Sequence, residues 1–190
     1  MADLQASIEE LWERRGELSP GRDSDALATV TEAIDLLDRG EARVAELVGD
    51  DVVVHTWLKQ AILLLFQLRS IETTELAPFE FADKLPLKSG YAAAGVRVVP
   101  GASARWGAHL EPNVILMPSY VNIGAYVGAN TMVDTWATVG SCAQIGAEVH
   151  LSGGVGIGGV LEPPQAAPVV VEDDCMIGSR CMVVNGARVR

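Results

Sequence analysis

Side chains with reactive chemistry are few in this chain, and their spacing limits what they can do. Cys142, Cys175 and Cys181 form no CxxC pair, and an odd count does not suggest a disulfide framework. His55, His109 and His150 stand too far apart in sequence to read as a zinc site. No Ser/His/Asp or Cys/His arrangement offers a covalent nucleophile. Gly154, Gly156 and Gly159 form a GxGxxG-like string. It lies on a repeat whose corners explain glycine better than a dinucleotide does. Asp134 follows an apolar Val133, and by spacing alone it is a surface carboxylate.

That repeat is what must position any site. Counting in sixes from Ile115 reaches Val121, Val127, Val133, Val139, Ile145, Leu151 and Ile157. Four residues past each aliphatic from Val121 stand Ala125, Thr131, Ala137, Ala143, Val149 and Val155. The beat resumes at Val171, Ile177, Val183 and Val189, with Cys175, Cys181 and Ala187 in the small places. Neither a helix nor a simple alternating strand has this period. Hexapeptide repeats build a parallel β-helix, with one flat side per hexad and three hexads per coil. The aliphatic and the small residue both point inward, so Cys175 and Cys181 read as packing. Cys142 lies off the inward places and is open to either a packing or a reactive role. About eleven to twelve hexads make roughly four coils. The period does not give the hand, and parallel crossovers are normally right-handed.

Composition narrows the functional classes. The chain has 190 residues, 49% hydrophobic, with a net charge of −11, which argues against a general nucleic-acid binder. It has no bilayer-length apolar run and no secretory signal pattern, so the expectation is a cytoplasmic protein without membrane attachment. Residues 1–70 read as a small helical N-terminal domain, with helices over 8–15, 26–47 (breaking near Gly40) and 56–69. Residues 71–114 read as a connector with short strands. Residues 115–190 read as the β-helix, with a Pro-rich loop excursion over 158–170 that carries Pro163, Pro164 and Pro168. The beat is still running at Val189, so the solenoid reads as uncapped and incomplete at Arg190.

Residues 117–159, followed by VLEP, closely resemble the tetrahydrodipicolinate N-succinyltransferases, a hexapeptide-repeat acyltransferase family. The string MVDTWATVGSCAQIG is the most specific part. IEELWERRGELSP, the ARV of residues 42–44, HTWLKQAILLLF and GVRVVPGA extend the resemblance over essentially the whole chain. The resemblance implies a mainly β fold, a left-handed parallel β-helix with a small α-helical N-terminal domain. It implies a CoA-dependent N-succinyltransferase of diaminopimelate and lysine biosynthesis. Succinyl passes from succinyl-CoA, a co-substrate rather than a bound cofactor, to the amino group of the ring-opened or hydrated form of tetrahydrodipicolinate. Attack is direct, in a ternary complex. A homotrimer with active sites between neighbours is implied, and no metal. Asp134 matches the family's substrate-binding acid, able to accept the amine proton or hold the amine. Arg97 matches the substrate arginine, suited to a carboxylate. Gly159 matches a position whose backbone approaches the substrate.

Two departures stand against a full match. Met182 occupies the place of a family Glu assigned to proton transfer, and Asn185 replaces a second acid. Glu162 is a candidate substitute. The family also continues for further coils that contribute to the acyl-CoA site, and this chain stops at Arg190. Two other functions stay open: a hexapeptide acyltransferase for another acyl donor or amine, with His150 as base, or an inactive or truncated trimeric paralogue.

Overall fold

The computed structural model describes all 190 residues. Three helices come first: α1 (Ala2–Glu13), α2 (Ser24–Arg39) and α3 (Thr56–Leu68). Ile8, Leu11, Val30, Ile34, Ile62 and Leu65 close their shared core at helical spacing. The helix expected over 26–47 stops at Arg39, because Gly40 adopts a left-handed conformation (φ 73°) that ends it. The apolar residues beyond it belong to an antiparallel hairpin, β1 (Ala45–Val48) and β2 (Asp51–Val54). Residues 71–114 begin with a second hairpin, β3 (Glu72–Leu76) and β4 (Phe79–Asp83).

The rest is a parallel β-helix of two-residue strands, from Arg97–Val98 to Arg188–Val189. They form three parallel sheets of five strands each, so the solenoid has five coils rather than four. The additional coil lies in the stretch read as connector. Its inward residues are Val98, Ala104 and Leu110; Ala104 breaks the run of aliphatics, and all three lie before the count begun at Ile115.

One phase of the repeat also differs from the count in sixes. Leu116, not Ile115, points into the prism, and the step from Leu116 to Val121 is five residues. Elsewhere a corner residue three places before the inward aliphatic takes a left-handed conformation, as at Asn113, Asn130, Trp136 and Cys142. Pro118 holds that corner in the short step, and its ring fixes φ negative.

Each strand directs its first residue outward and its second inward. Three outward columns result: Arg97, Ile115, Met132, His150 and Met176; Ser103, Tyr120, Thr138, Gly156 and Met182; and His109, Tyr126, Gln144, Val170 and Arg188. We call these the Arg97, Thr138 and Tyr126 faces. The loop excursion leaves the Thr138 face at Ile157 and returns on the Tyr126 face at Val170. It therefore passes a single corner in place of one hexad, and is longer than the spacing alone suggested. The helical domain covers that corner. Ile34 reaches Gly107, and Ile62 and Val44 reach Gly124, where any side chain would collide with them.

Candidate acyl-transfer site

Asp134 sits where the chain turns from the Arg97 face to the Thr138 face. Its Oδ1 accepts the Thr135 backbone N–H at 2.6 Å, and its Oδ2 lies 3.5 Å from His150 Nε2 on the next coil. The Thr135 N–H, with a smaller contribution from His150, holds the carboxyl below the usual carboxylate range. Asp134 is thus a persistent anion and a weak base. The Nε2 of His150 is buried without a well-formed hydrogen bond, and Asp134 is the acid beside it. Sequence spacing did not pair these two. Their juxtaposition comes from coil stacking, which sets Met132 beside His150.

Arg97 is exposed on the first rung of the Arg97 face and makes no ion pair, leaving its guanidinium open to a carboxylate. His150 lies three rungs further along that column, roughly 14 Å away at the usual strand spacing. Gly159 stands at the next corner, between the Thr138 and Tyr126 faces, at the start of the excursion. A side chain there would come within 2.8 Å of the Ser141 backbone nitrogen, so packing alone requires glycine. Arg97 and Asp134 share one side of the prism. Gly159 lies across the Thr138 face from Asp134.

Met182 ends the Thr138 column, 68% exposed, with its thioether laid over Gly156. It puts no titratable group on that face. Glu162 is exposed in the excursion without an ion-pair partner, and Asn185 occupies a left-handed corner position (φ 58°).

The sequence reading passed over Trp136. It is 77% exposed, two residues from Asp134, at a corner with φ 62°. A bulky aromatic in this conformation is strained and is tolerated where something else is gained. The available signal was an indole in a corner slot that Gly, Asn, Asp, Glu, Arg or Cys, but no other aromatic, fills elsewhere.

Cys142 is fully buried beneath the helical domain, and burial pushes its thiol up to about 12. It is therefore a packing residue, and the reactive role left open for it is removed. Cys175 points inward and is half-buried, whereas Cys181 is exposed on the last coil. No three His, Cys, Asp or Glu side chains converge on a metal geometry. No helix is long and apolar enough to cross a membrane.

Comparison with known proteins agrees with the motif-level resemblance. The family model described as "Tetrahydrodipicolinate N-succinyltransferase N-terminal" matches residues 3–68. A 2,3,4,5-tetrahydropyridine-2,6-dicarboxylate N-succinyltransferase from Dechloromonas aromatica is 52% identical over 189 residues, covering 96% of this chain and 70% of that protein. Its counterpart from Caulobacter vibrioides is 52% identical, covering 98% of this chain and 71% of its own. Among solved structures, serine acetyltransferase 1 from Entamoeba histolytica aligns with half of the chain at 14% identity and a TM-score of 0.37. Identity at this level over nearly the whole chain places it in the family of 2,3,4,5-tetrahydropyridine-2,6-dicarboxylate N-succinyltransferases.

Proposed function

We propose that this chain transfers succinyl from succinyl-CoA to the amino group that hydration of the cyclic imine of tetrahydrodipicolinate frees, so that one water is consumed and the products are N-succinyl-2-amino-6-oxopimelate and CoA. The observation that carries this reading is the 52% identity spanning 96% of the chain. Asp134 holds the ammonium end of the acceptor beside His150, and Arg97 takes a carboxylate. The backbone at Gly159 lines the far edge. The free amine attacks the thioester carbonyl directly, and CoA leaves as the thiol. Because Asp134 is a weak base, the proton lost from nitrogen is better received at the Asp134–His150 pair than at Asp134 alone.

Arg97 and Asp134 lie on one side of the prism and Gly159 at another corner. A homotrimer, in which one chain's Asp134 edge meets a neighbour's Gly159 edge, brings these groups onto a single small substrate. The assay is acceptor-dependent thiol release from succinyl-CoA, with acetyl-CoA in parallel. Folded protein that releases no thiol with either donor refutes the activity. A mass in solution near one chain refutes the shared site.

Met182 favours a second reading, a family member with a weakened site. Met182→Glu then raises the rate. An unchanged rate in a folded Met182→Glu variant excludes that reading.

A further inference from the structure

A cleft of about 750 Å³ lies between the Tyr126 face and strand β1, away from the corner that carries Asp134. Its central group is Arg43. The Arg43 guanidinium carbon sits 3.6 Å over the Tyr126 ring, and its Nε donates to Gln144 Oε1 at 3.0 Å. Gln144 is buried and cannot reorient, because its own NH2 donates to the Cys142 carbonyl at 2.9 Å. The stack and the buried amide fix Arg43 before any ligand arrives, and no carboxylate pairs with it. A guanidinium held this way, with its outer nitrogens unused, suits a carboxylate.

Four acids line the same cleft, and two are already engaged. Glu111 accepts from the Tyr126 hydroxyl at 2.5 Å, and Glu172 pairs with Arg188 and Arg190. Glu46 and Asp173 remain, both exposed. Glu46 reaches only His55 at 3.5 Å, and one Asp173 oxygen accepts the Ala147 N–H. Opposite charges thus share a cleft without neutralising each other. One fixed cation faces two available anions, which calls for a ligand with one carboxylate and two ammonium groups. The floor is Gly128, Ala129, Gly146 and Ala147, small residues along which an aliphatic chain can lie; the two glycines are themselves set by coil stacking, since a Cβ on Gly128 would meet the Gly146 backbone and one on Gly146 the backbone of Asp173.

We propose that this cleft binds a basic α-amino acid, with its carboxylate on Arg43 and its ammonium groups on Glu46 and Asp173. The test is calorimetric titration of the full chain with L-lysine, and in parallel with succinate and with 1,5-diaminopentane. Saturable lysine binding is expected, with each of the other two weaker by at least about tenfold, the cost of one charge-assisted pair. Arg43→Met keeps an apolar stem over Tyr126 and weakens lysine binding by a similar factor. The Glu46→Gln/Asp173→Asn double variant does the same while leaving Arg43 in place, which keeps the test open if Arg43→Met does not fold. Succinate binding as tightly as lysine marks a plain anion site and overturns the proposal. So does the absence of a saturable response, as when a second copy fills the cleft, or binding that neither variant alters. The readout needs no turnover, so its result is independent of the acyl-transfer activity.

Discussion

Lys59 on α3 is completely buried, and its ammonium makes one hydrogen bond, to the Ala166 carbonyl of the loop excursion at 2.7 Å. No carboxylate pairs with it, and burial lowers its pKa. An unpaired buried ammonium costs several kcal/mol of lost hydration. The bond to Ala166 returns about 1.5–3 kcal/mol and acts only on the loop. Lys59→Met, close in volume, therefore leaves global stability unchanged or raises it, while the excursion loosens. Urea unfolding at pH 7 measures the first effect, and hydrogen exchange over residues 158–170 measures the second. The sign with pH also follows. Because the folded-state pKa lies below the unfolded value, the native protein binds fewer protons between the two, and its stability rises with pH across that window. The advantage of the methionine variant is greatest near neutrality and shrinks toward pH 10. A fall of more than about 2 kcal/mol at pH 7, with exchange in the loop unchanged, refutes the reasoning, because Lys59 would then support the core rather than the loop.

Cys181 reacts with a thiol reagent in the native protein and Cys142 does not until the chain unfolds, which peptide mapping after alkylation resolves. The raised pKa of Cys142 means the native state keeps a proton that the unfolded state releases. Stability is thus full below about pH 9 and declines toward pH 12, a decline that Cys142→Ala reduces in melts up to pH 10.5. Trp136→Gly relieves a left-handed aromatic, so unfolding measurements show no loss or a gain of about 1 kcal/mol, while thiol release falls. Asp134→Asn abolishes acceptor-dependent thiol release at every pH from about 5 upward, because the wild-type carboxyl is ionised throughout that range. Leu151→Ala, in the sealed middle of the prism, lowers stability by about 2–5 kcal/mol in chemical denaturation.

The β-helix was legible because it is a local code. Each hexad repeats the same demand, an aliphatic inward with a small residue two places before it, and stacking turns that demand into a continuous core from Val96 to Ile177. The reading weakened where the code did. Ala104 gave too little signal to mark the first coil. The neighbouring Ile115 and Leu116 competed for one inward place, and Pro118 then shortened the step. The break expected near Gly40 is where α2 ends, but the helical continuation beyond it failed for a similar reason. Val44 and Leu47 fit a helical period, but after Gly40 Val44 packs into the helical-domain core from the segment that leads into β1, and the register of the β1–β2 hairpin places Leu47 on a strand.

The sequence by itself determined the repeat and the family and put forward Asp134, Arg97 and Gly159 as site candidates, because periodicity and motif are properties of neighbouring residues. Only the tertiary structure decided what those residues meet. Asp134 and His150 are sixteen positions apart and touch because one coil takes about eighteen residues. Gly159 is nearer Asp134 in sequence than Arg97 is, yet it stands at a different corner. Arg43 and Gln144 lie a hundred residues apart and meet because the helical domain folds back over the prism. Lys59 finds Ala166 for the same reason. Contacts of this kind depend on the register in which coils stack, on where the chain leaves the prism and on how the helical domain folds back over it, and the hexad repeat fixes only the average length of a coil.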